Sequence, residues 1–322
     1  MDNIVTQLKS CRNVLIASHI NPDGDAIGSL VAMGVALQTY GIDTTLFNES
    51  PIPAVYRFLP GVERISRTLE GETFDTAIVL DCSNLDRVGS RADQVSAVPV
   101  VINIDHHVTN NGFGDLQIID SSACATAEIV YRLVKAMDVE INKTMAISIY
   151  TGIVTDTGSF RFSNTNHAAF TICDEMVQKG VQPYNVAQHV YGTYSLGRIK
   201  LLNLALESIE ISKNGAVSMM MLTQQMLNDT GTNPEDADGL INYARRIEDI
   251  KLAALIQEQK NGSHRQGGAK EYHVSLRSDG SVDVAAIASG FGGGGHPSAA
   301  GFDIKTTLSD LKHKMLQLSE TI

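Results

Sequence analysis

The sequence predicts an α/β protein in two parts. The N-terminal domain has a mainly parallel sheet flanked by helices; a linker helix then leads to a smaller C-terminal α/β domain with a mixed sheet. Three observations predict this. Short apolar runs rich in β-branched residues alternate with helix-length segments through the first half, the pattern of right-handed βαβ units. The texture changes after Asn166, where strand-like runs and a glycine-rich stretch appear. The chain has 322 residues, long for one domain of ~100–200 residues and comfortable for two.

Taken in order, Asp2–Cys11 reads as a short amphipathic helix and Asn13–Ser18 as a short buried strand. The polar loop His19–Asp25 follows. Ala26–Tyr40, rich in small and apolar residues, reads as a helix packed on the sheet and stopped by Gly41. Ile42–Phe47 is a second strand, and Pro51–Leu69 is irregular to helical. Asp75–Leu80 and Val98–Ile104 are further buried strands, and Leu116–Ile119 is a shorter one at an edge. Ala125–Met137 and Lys143–Val154 are helices, the second delivering Asp156 near its end. His167–Lys179 and Pro183–Tyr191 look helical, as does Leu196–Leu206, a bridge between domains. Strand-like runs follow at Ala216–Leu222, Leu252–Gln257 and Tyr272–Arg277, with a polar connection at Asn261–Lys270. Asp283–Phe291 is a short helix running into Gly292–Gly295, and Leu308–Leu318 closes the chain. These elements place a first domain at 1–190, a linker at 191–212 and a second domain at 213–322.

Hydrophobic residues make up 43% and charged residues 19%, enough for a sizeable core. The net charge of −11 argues against a broad electrostatic grip on long nucleic acid. A small anionic substrate stays compatible if metal ions supply local positive charge. Cys11, Cys82, Cys124 and Cys173 are scattered and form no Cys-x-x-Cys, so reduced thiols of a cytoplasmic protein are expected. No signal-peptide core and no membrane-length apolar run stands out.

Four polar clusters follow predicted strands or end a helix. They are His19-Ile-Asn-Pro-Asp23-Gly-Asp25, Asp81, Asp105-His106-His107 and Asp156. Open α/β sheets place ligands at the C-terminal ends of their strands. Carboxylates and imidazoles together suit Mn²⁺, Fe²⁺, Co²⁺ or Zn²⁺ rather than the all-oxygen shells of Mg²⁺ and Ca²⁺. Asp23 and Asp25, two apart in a turned loop, can serve neighbouring ions. One carboxylate such as Asp81 can bridge two ions. Asp105 can fix the ring of a ligating His106 from behind, leaving His107 to face substrate. Singly, each has a plainer reading: Asp81 or Asp156 as a helix or turn cap, a histidine as a satisfied core residue. Four clusters arriving at one sheet edge favour a shared metal site.

The ordered motifs carry a resemblance. HINPDGDAIGS at 19–29, VLDCSNLDRVG at 79–89, the triplet Asp105-His106-His107, TGIVTDTGSF at 151–160 and GGGGHPSAAGF at 292–302 together resemble the DHH phosphoesterase superfamily with its DHH-associated C-terminal domain. Within it, the chain is similar to the stand-alone nano-RNases, oligoribonucleases that also dephosphorylate 3′-phosphoadenosine 5′-phosphate (pAp). The resemblance implies two Mn²⁺ ions: His19, Asp23 and Asp81 on one, and Asp25, Asp81, His106 and Asp156 on the other. Asp81 bridges them. His107 is implied at the scissile phosphate or leaving group, with Asp105 behind the ligands. The catalytic set is thus His107, Asp81 and Asp105.

The glycine run, read alone, is a flexible linker. In its setting, glycines let a phosphate or base approach backbone N–H groups. The resemblance makes Gly294, Gly295 and His296 the candidates for holding the distal part of the substrate. Arg277, matching phosphate oxygens bidentately, is a plausible companion, against the alternative of a solvated strand-end charge. Arg265, His264 and Arg198 are weaker candidates. Phe160 and Phe162, flanking Arg161, suit either base stacking or the core. The expected activity is Mn²⁺-dependent hydrolysis of very short RNA to mononucleotides, and of pAp to AMP. The alternatives are a phosphodiesterase of linear or cyclic dinucleotides (pApA, cyclic di-AMP) and an inactive nucleotide-binding regulator. Expected partners are short RNA or small nucleotides, neither long duplex nucleic acid nor membrane, with a homodimer left as an open option.

Overall fold

The computed structural model describes residues 1–71, 73–192, 194–260, 269–320 and 322. It divides into two compact units, Met1–Thr193 and Tyr194–Ile322. The first contains α1 (Asp2–Ser10), β1 (Asn13–Ser18), α2 (Gly24–Thr39), β2 (Asp43–Phe47), β3 (Ile65–Ser66), β4 (Thr76–Leu80), α3 (Ala92–Ser96), β5 (Val101–Asp105), β6 (Leu116–Ile119), α4 (Thr126–Ala136), α5 (Lys143–Asp156), α6 (His167–Gln178) and α7 (Pro183–Tyr191). Its six described strands pair in the order β3-β2-β1-β4-β5-β6, parallel throughout.

That order has a functional consequence. The chain winds outward from β1 to one edge, then returns to β4 and winds to the other. Connections therefore diverge between β1 and β4 and leave a crevice at the carboxyl ends of those strands. Ser18 pairs with Leu80, and Leu80 with Ile104, so three central strands finish level. His19 and Asp81 follow directly, and Asp105 ends the third strand. Strands β1, β4 and β5 are buried along nearly their whole length, which explains their unbroken apolar runs.

Two boundaries differ from the sequence expectation, each for a local reason. The strand expected at Val98–Ile104 runs from Val101 to Asp105. Pro99 cannot donate to a ladder, and Asp105 stays in register opposite Ile119. The helix expected from Ala26 begins at Gly24. Asp23 caps it, accepting from the amides of Asp25 and Ala26 at 3.0 Å each. Asp25 consequently sits in a helical first turn rather than a loop.

Helix α2 is buried from Gly24 through Gly34 and packs on α5. Close approach is possible because glycines stand at the contact. A Cβ on Gly28 would run into the carbonyl oxygen of Ser148, and one on Gly152 would lie 2.7 Å from the Ala127 methyl and 3.0 Å from Asp25 Oδ1. Asp25 near the start of α2 and Asp156 at the end of α5 are brought together by this packing.

The second unit contains α8 (Leu196–Glu207), β7 (Glu210–Ile211), β8 (Val217–Leu222), α9 (Gln224–Thr230), α10 (Ile241–Arg245), β9 (Leu252–Glu258), β10 (Lys270–Ser278), α11 (Val284–Ser289), β11 (Gly294–His296), β12 (Ala299–Thr306) and α12 (Leu308–Leu318). Its described strands form a mixed sheet, β11-β12-β10-β9-β8-β7, in which only β8 and β9 run parallel. The glycine-rich run is therefore no free linker: Gly294, Gly295 and His296 are ladder residues opposite Gly301, Ala300 and Ala299. Of the connection expected at Asn261–Lys270, residues 261–268, with His264 and Arg265, lie outside the described residues. No helix among the described residues is long and apolar enough to cross a membrane.

The Gly28 contact generates a test. Gly28→Ala should lower stability by about 1–3 kcal/mol, because the added methyl meets backbone rather than a movable side chain. The readout is a lower thermal-unfolding midpoint; an unchanged midpoint would show that α2 and α5 can separate freely.

Candidate metal centre

Six donors converge at the crevice in two groups. His19, Asp23 and Asp81 offer ligand atoms within 4.8 Å of one another, and so do Asp25, His106 and Asp156. A third group, Asp81, Asp105 and His107, adjoins them. Asp81 links all of these. Its Oδ2 lies 3.4 Å from His19 Nε2, while its Oδ1 lies 3.8 Å from His106 Nε2 and 3.6 Å from His107 Nδ1. The two oxygens of one carboxylate thus face two donor groups. Asp81 adopts φ +60°, a left-handed conformation that non-glycine residues adopt at a cost and that turns the side chain off the end of β4.

The histidines are oriented from behind. His19 Nδ1 is 2.9 Å from the Ile20 carbonyl, and His106 Nδ1 is 3.3 Å from the Ala123 carbonyl. Carbonyls only accept, so each keeps a proton on Nδ1 and leaves Nε2, the nitrogen turned toward the carboxylates, as the one to ligate an ion once it gives up its own proton. Asn48 steadies the loop after β1 by donating to Ser18 Oγ and the His19 carbonyl, both at 2.8 Å.

Asp25 is held from another helix. Its Oδ2 accepts from the Thr126 amide at 2.6 Å and its Oδ1 from the Ala127 amide at 2.8 Å, at the start of α4. Unpaired amides at a helix start suit a carboxylate by hydrogen bonding and by dipole. The Thr126 hydroxyl donates to Asp81 Oδ1 at 2.9 Å, so one residue ties both aspartates. Asn164 Nδ2 donates to Asp156 Oδ2 at 2.9 Å, and His106 Nε2 lies 3.6 Å from that oxygen.

One expectation needs correction. Asp105 was expected to fix the ring of His106. Instead its Oδ1 accepts from His107 Nδ1 at 2.7 Å, and His106 is steadied by a backbone carbonyl. The cause is alternation along an extended chain: side chains two apart leave the same side, whereas neighbours diverge.

The electrostatics are those of crowded negative charge. Burial, then the charges of Asp81 and Asp156, push the Asp25 carboxyl well above its ordinary value. Burial raises Asp156 to about 7, with His106 pulling the other way and Asp23 and Asp81 adding to the rise. Burial opposes charge on His106, yet Asp156, Asp81 and Asp25 outweigh it and raise the imidazole to about 9. Burial likewise works against Asp81, but the His19 hydrogen bond and the neighbouring imidazoles hold it far below the usual carboxylate range. Burial and mutual repulsion thus disfavour full ionisation of the acidic set. Carboxylate oxygens plus imidazole nitrogens, in two adjoining groups sharing Asp81, fit a pair of divalent ions.

In the second unit, Arg277 and His296 share a register row: Ala299 pairs with Arg277 on one side and with His296 on the other. Directly paired residues project from the same face, so both side chains leave one side of the sheet. Arg277 donates to the Leu276 carbonyl at 2.9 Å, and burial, opposed by Asp238, lowers its pKa. Arg198 donates to the Asp238 carbonyl at 2.5 Å and lies 4.4 Å from the Tyr194 ring centroid, an arrangement that fastens the unit to itself. Phe160 stacks on Phe170 at 4.8 Å between centroids, while Phe162 is exposed.

Sequence reasoning passed over Asn48, Asn110, Thr126 and Asn164. Thr126 could not be told from an ordinary residue at a helix start. Asn48 did carry a signal: it directly follows β2, at the same edge as the metal-type clusters.

Comparison with known proteins agrees with this architecture. A family model described as "DHH family, N-terminal domain" matches residues 13–153, and the DHHA1 domain model matches residues 213–321. The bifunctional oligoribonuclease and PAP phosphatase NrnA of Thermus thermophilus is 32% identical over 296 residues, covering 91% of this chain and 84% of that protein. The Bacillus subtilis protein of the same name is 28% identical, covering 90% and 89%. Among solved structures, an exopolyphosphatase-related protein from Bacteroides fragilis superposes with a TM-score of 0.89 at 27% identity, covering 98% and 95%.

The crowding of negative charge bears on metal loading. An ion held there would need His106, Asp156 and Asp25 free of protons, a state the crowded site disfavours, so binding would release protons. Calorimetric titration of Mn²⁺ near neutral pH should give an enthalpy that varies with the ionisation enthalpy of the buffer. Apparent affinity should fall as pH drops below about 9, where His106 takes up its proton, and further below about 7, where Asp156 does. A buffer-independent enthalpy would contradict the assignment.

Proposed function

Because this chain belongs to the DHH family and joins its N-terminal domain to a DHHA1 domain, we propose that it is a Mn²⁺-dependent phosphohydrolase of very short RNA and of pAp. On this reading it releases mononucleotides from oligomers of about two to five residues and converts pAp to AMP. The observation that carries the proposal is the Asp81 carboxylate, whose two oxygens face two separate donor groups. That is the arrangement a pair of ions sharing one ligand requires. His19, Asp23 and Asp81 would hold one ion; Asp25, Asp81, His106 and Asp156 would hold the other. Divalent ions at such a site offset phosphate charge and lower the pKa of a nearby water, which suits displacement at phosphorus.

The protein's own contribution is placement and proton handling. The amides of Thr126 and Ala127 fix Asp25, the Thr126 hydroxyl fixes one oxygen of Asp81, and Asn164 fixes Asp156. Rigid donors keep the electrostatic environment set before substrate arrives. His107 donates through Nδ1 to Asp105, so its exchange with substrate runs through Nε2. Protonated there, it would stabilise or protonate the departing ribose oxygen. Arg277, Gly294, Gly295 and His296 are proposed to hold the portion of substrate away from the reacting phosphorus. The net charge of −11 supports short substrates over long ones, since a long strand needs a basic track.

A substrate panel tests the reading: pAp, pApA, RNA of about two to five nucleotides, longer RNA, cyclic di-AMP and pyrophosphate, each with Mn²⁺ and with chelator. Mononucleotide release from short RNA and AMP from pAp should require metal. Pyrophosphate as the best substrate would overturn the reading. Asp81→Ala should abolish turnover while the fold persists, judged by an unaltered far-ultraviolet circular dichroism spectrum. Undiminished Mn²⁺-dependent hydrolysis by that variant would remove Asp81 from the centre.

A further inference from the structure

We propose that Asn110 is a positioning residue for His107, acting through Asp105. The inference rests on the phosphohydrolase reading and adds to it a residue outside every motif used to reach it. Asn110 lies in the turn after β5, and its backbone amide donates to the His107 carbonyl at 3.1 Å. Its side chain is specified at both ends. The Gly112 amide donates to Asn110 Oδ1 at 2.7 Å, and Asn103 Nδ2 does so at 3.2 Å. With Oδ1 facing donors, Nδ2 must face acceptors. It donates to Asp105 Oδ2 at 2.6 Å and to the Cys82 carbonyl at 3.0 Å. Reversing the amide would set donor against donor at Gly112 and Asn103 and acceptor against acceptor at Asp105 and Cys82, so this orientation is fixed by its neighbours.

The consequence passes along the chain. Asp105 is fully buried, and a buried carboxylate needs its oxygens hydrogen-bonded. Asn110 takes Oδ2, which leaves Oδ1 directed at His107 Nδ1, 2.7 Å away. An ionised carboxylate only accepts, so the imidazole must carry its proton on Nδ1 and do its chemistry at Nε2. Asn110 also joins two carboxyl-edge segments, because Cys82 follows Asp81 and the Asn111 amide donates to the Ser83 carbonyl at 2.9 Å. The residue therefore sets the ring of His107 relative to the metal-type donor Asp81. Without it, Asp105 Oδ2 loses a donor, and the carboxylate can rotate and carry the ring with it.

The test combines kinetics with crystallography on the full chain loaded with Mn²⁺. Asn110→Ala should lower kcat on pAp and short RNA by about tenfold, the lower end of the effect of groups that orient catalytic ligands from behind, with KM little changed. In a His107→Ala background the same substitution should have no further effect, because its influence runs through that ring. Mn²⁺ affinity should be unaltered. Asn110→Asp, close in shape, retains the acceptor but sets a carboxylate against Asp105, and should lose at least as much; it covers the case in which the alanine variant folds poorly. A full additional loss in the His107→Ala background, or weakened Mn²⁺ binding, would overturn the proposal. The crystallographic arm needs no turnover: in the Asn110 variants His107 Nδ1 should leave hydrogen-bonding distance of Asp105 Oδ1, and an unmoved ring would overturn it. If wild-type protein hydrolyses neither pAp nor short RNA, the substrate reading fails while the ring position still decides this one.

Discussion

The structure depends on holding several carboxylates of like charge in one buried place. Asp25, Asp81 and Asp156 are brought together at the sheet edge, where burial penalises charge and each aggravates the others. A fold optimised for stability alone would separate such groups or replace them by apolar residues. Here they are retained and surrounded by donors. Two amides at the start of α4 take Asp25, Thr126 takes one oxygen of Asp81, and Asn164 takes Asp156. The imidazoles of His19 and His106 share the remaining charge. Such an arrangement is poised for cations, because a cation turns mutual repulsion into shared attraction.

That constraint explains features of the surrounding fold. Doubly wound topology supplies the crevice, and the level ends of β1, β4 and β5 set their following residues side by side. Helices α2 and α5 must approach closely to bring Asp25 near Asp156, which is why glycines occupy the contact at Gly28 and Gly152. Asp81 accepts a left-handed backbone to turn its carboxylate into the cluster. These three departures from an ordinary local choice, at Gly28, Gly152 and Asp81, lie within or directly beneath the donor set, as expected where function rather than stability selects the residue.

Much of this was legible in the sequence. Strand and helix alternation gave the parallel sheet, and the four polar clusters stood out because each interrupted an apolar pattern. Legibility failed where a decision was not local. Asp105 was assigned to His106 because adjacency in sequence suggested it, whereas strand alternation pairs it with His107. Thr126 joins Asp25 across 101 residues and Asp81 across 45, separations over which no sequence pattern signals a contact. Gly294–His296 read as a linker in isolation, and only pairing with Ala299–Gly301 made it a strand. Helices α9 and α10 and strand β12 were not anticipated, being short or lacking a β-branched run.

The sequence by itself determined the chemistry: which donors are present, and that each cluster follows a strand or closes a helix. These follow from residue type and local periodicity, which need no knowledge of distant partners. Tertiary structure alone decided the division of labour. It set which oxygen of Asp81 faces which histidine, which ring Asp105 holds, and that an asparagine outside the motifs anchors that carboxylate. The reason is physical: hydrogen-bond geometry acts over about 3 Å, and only the folded chain brings residues a hundred positions apart within that range.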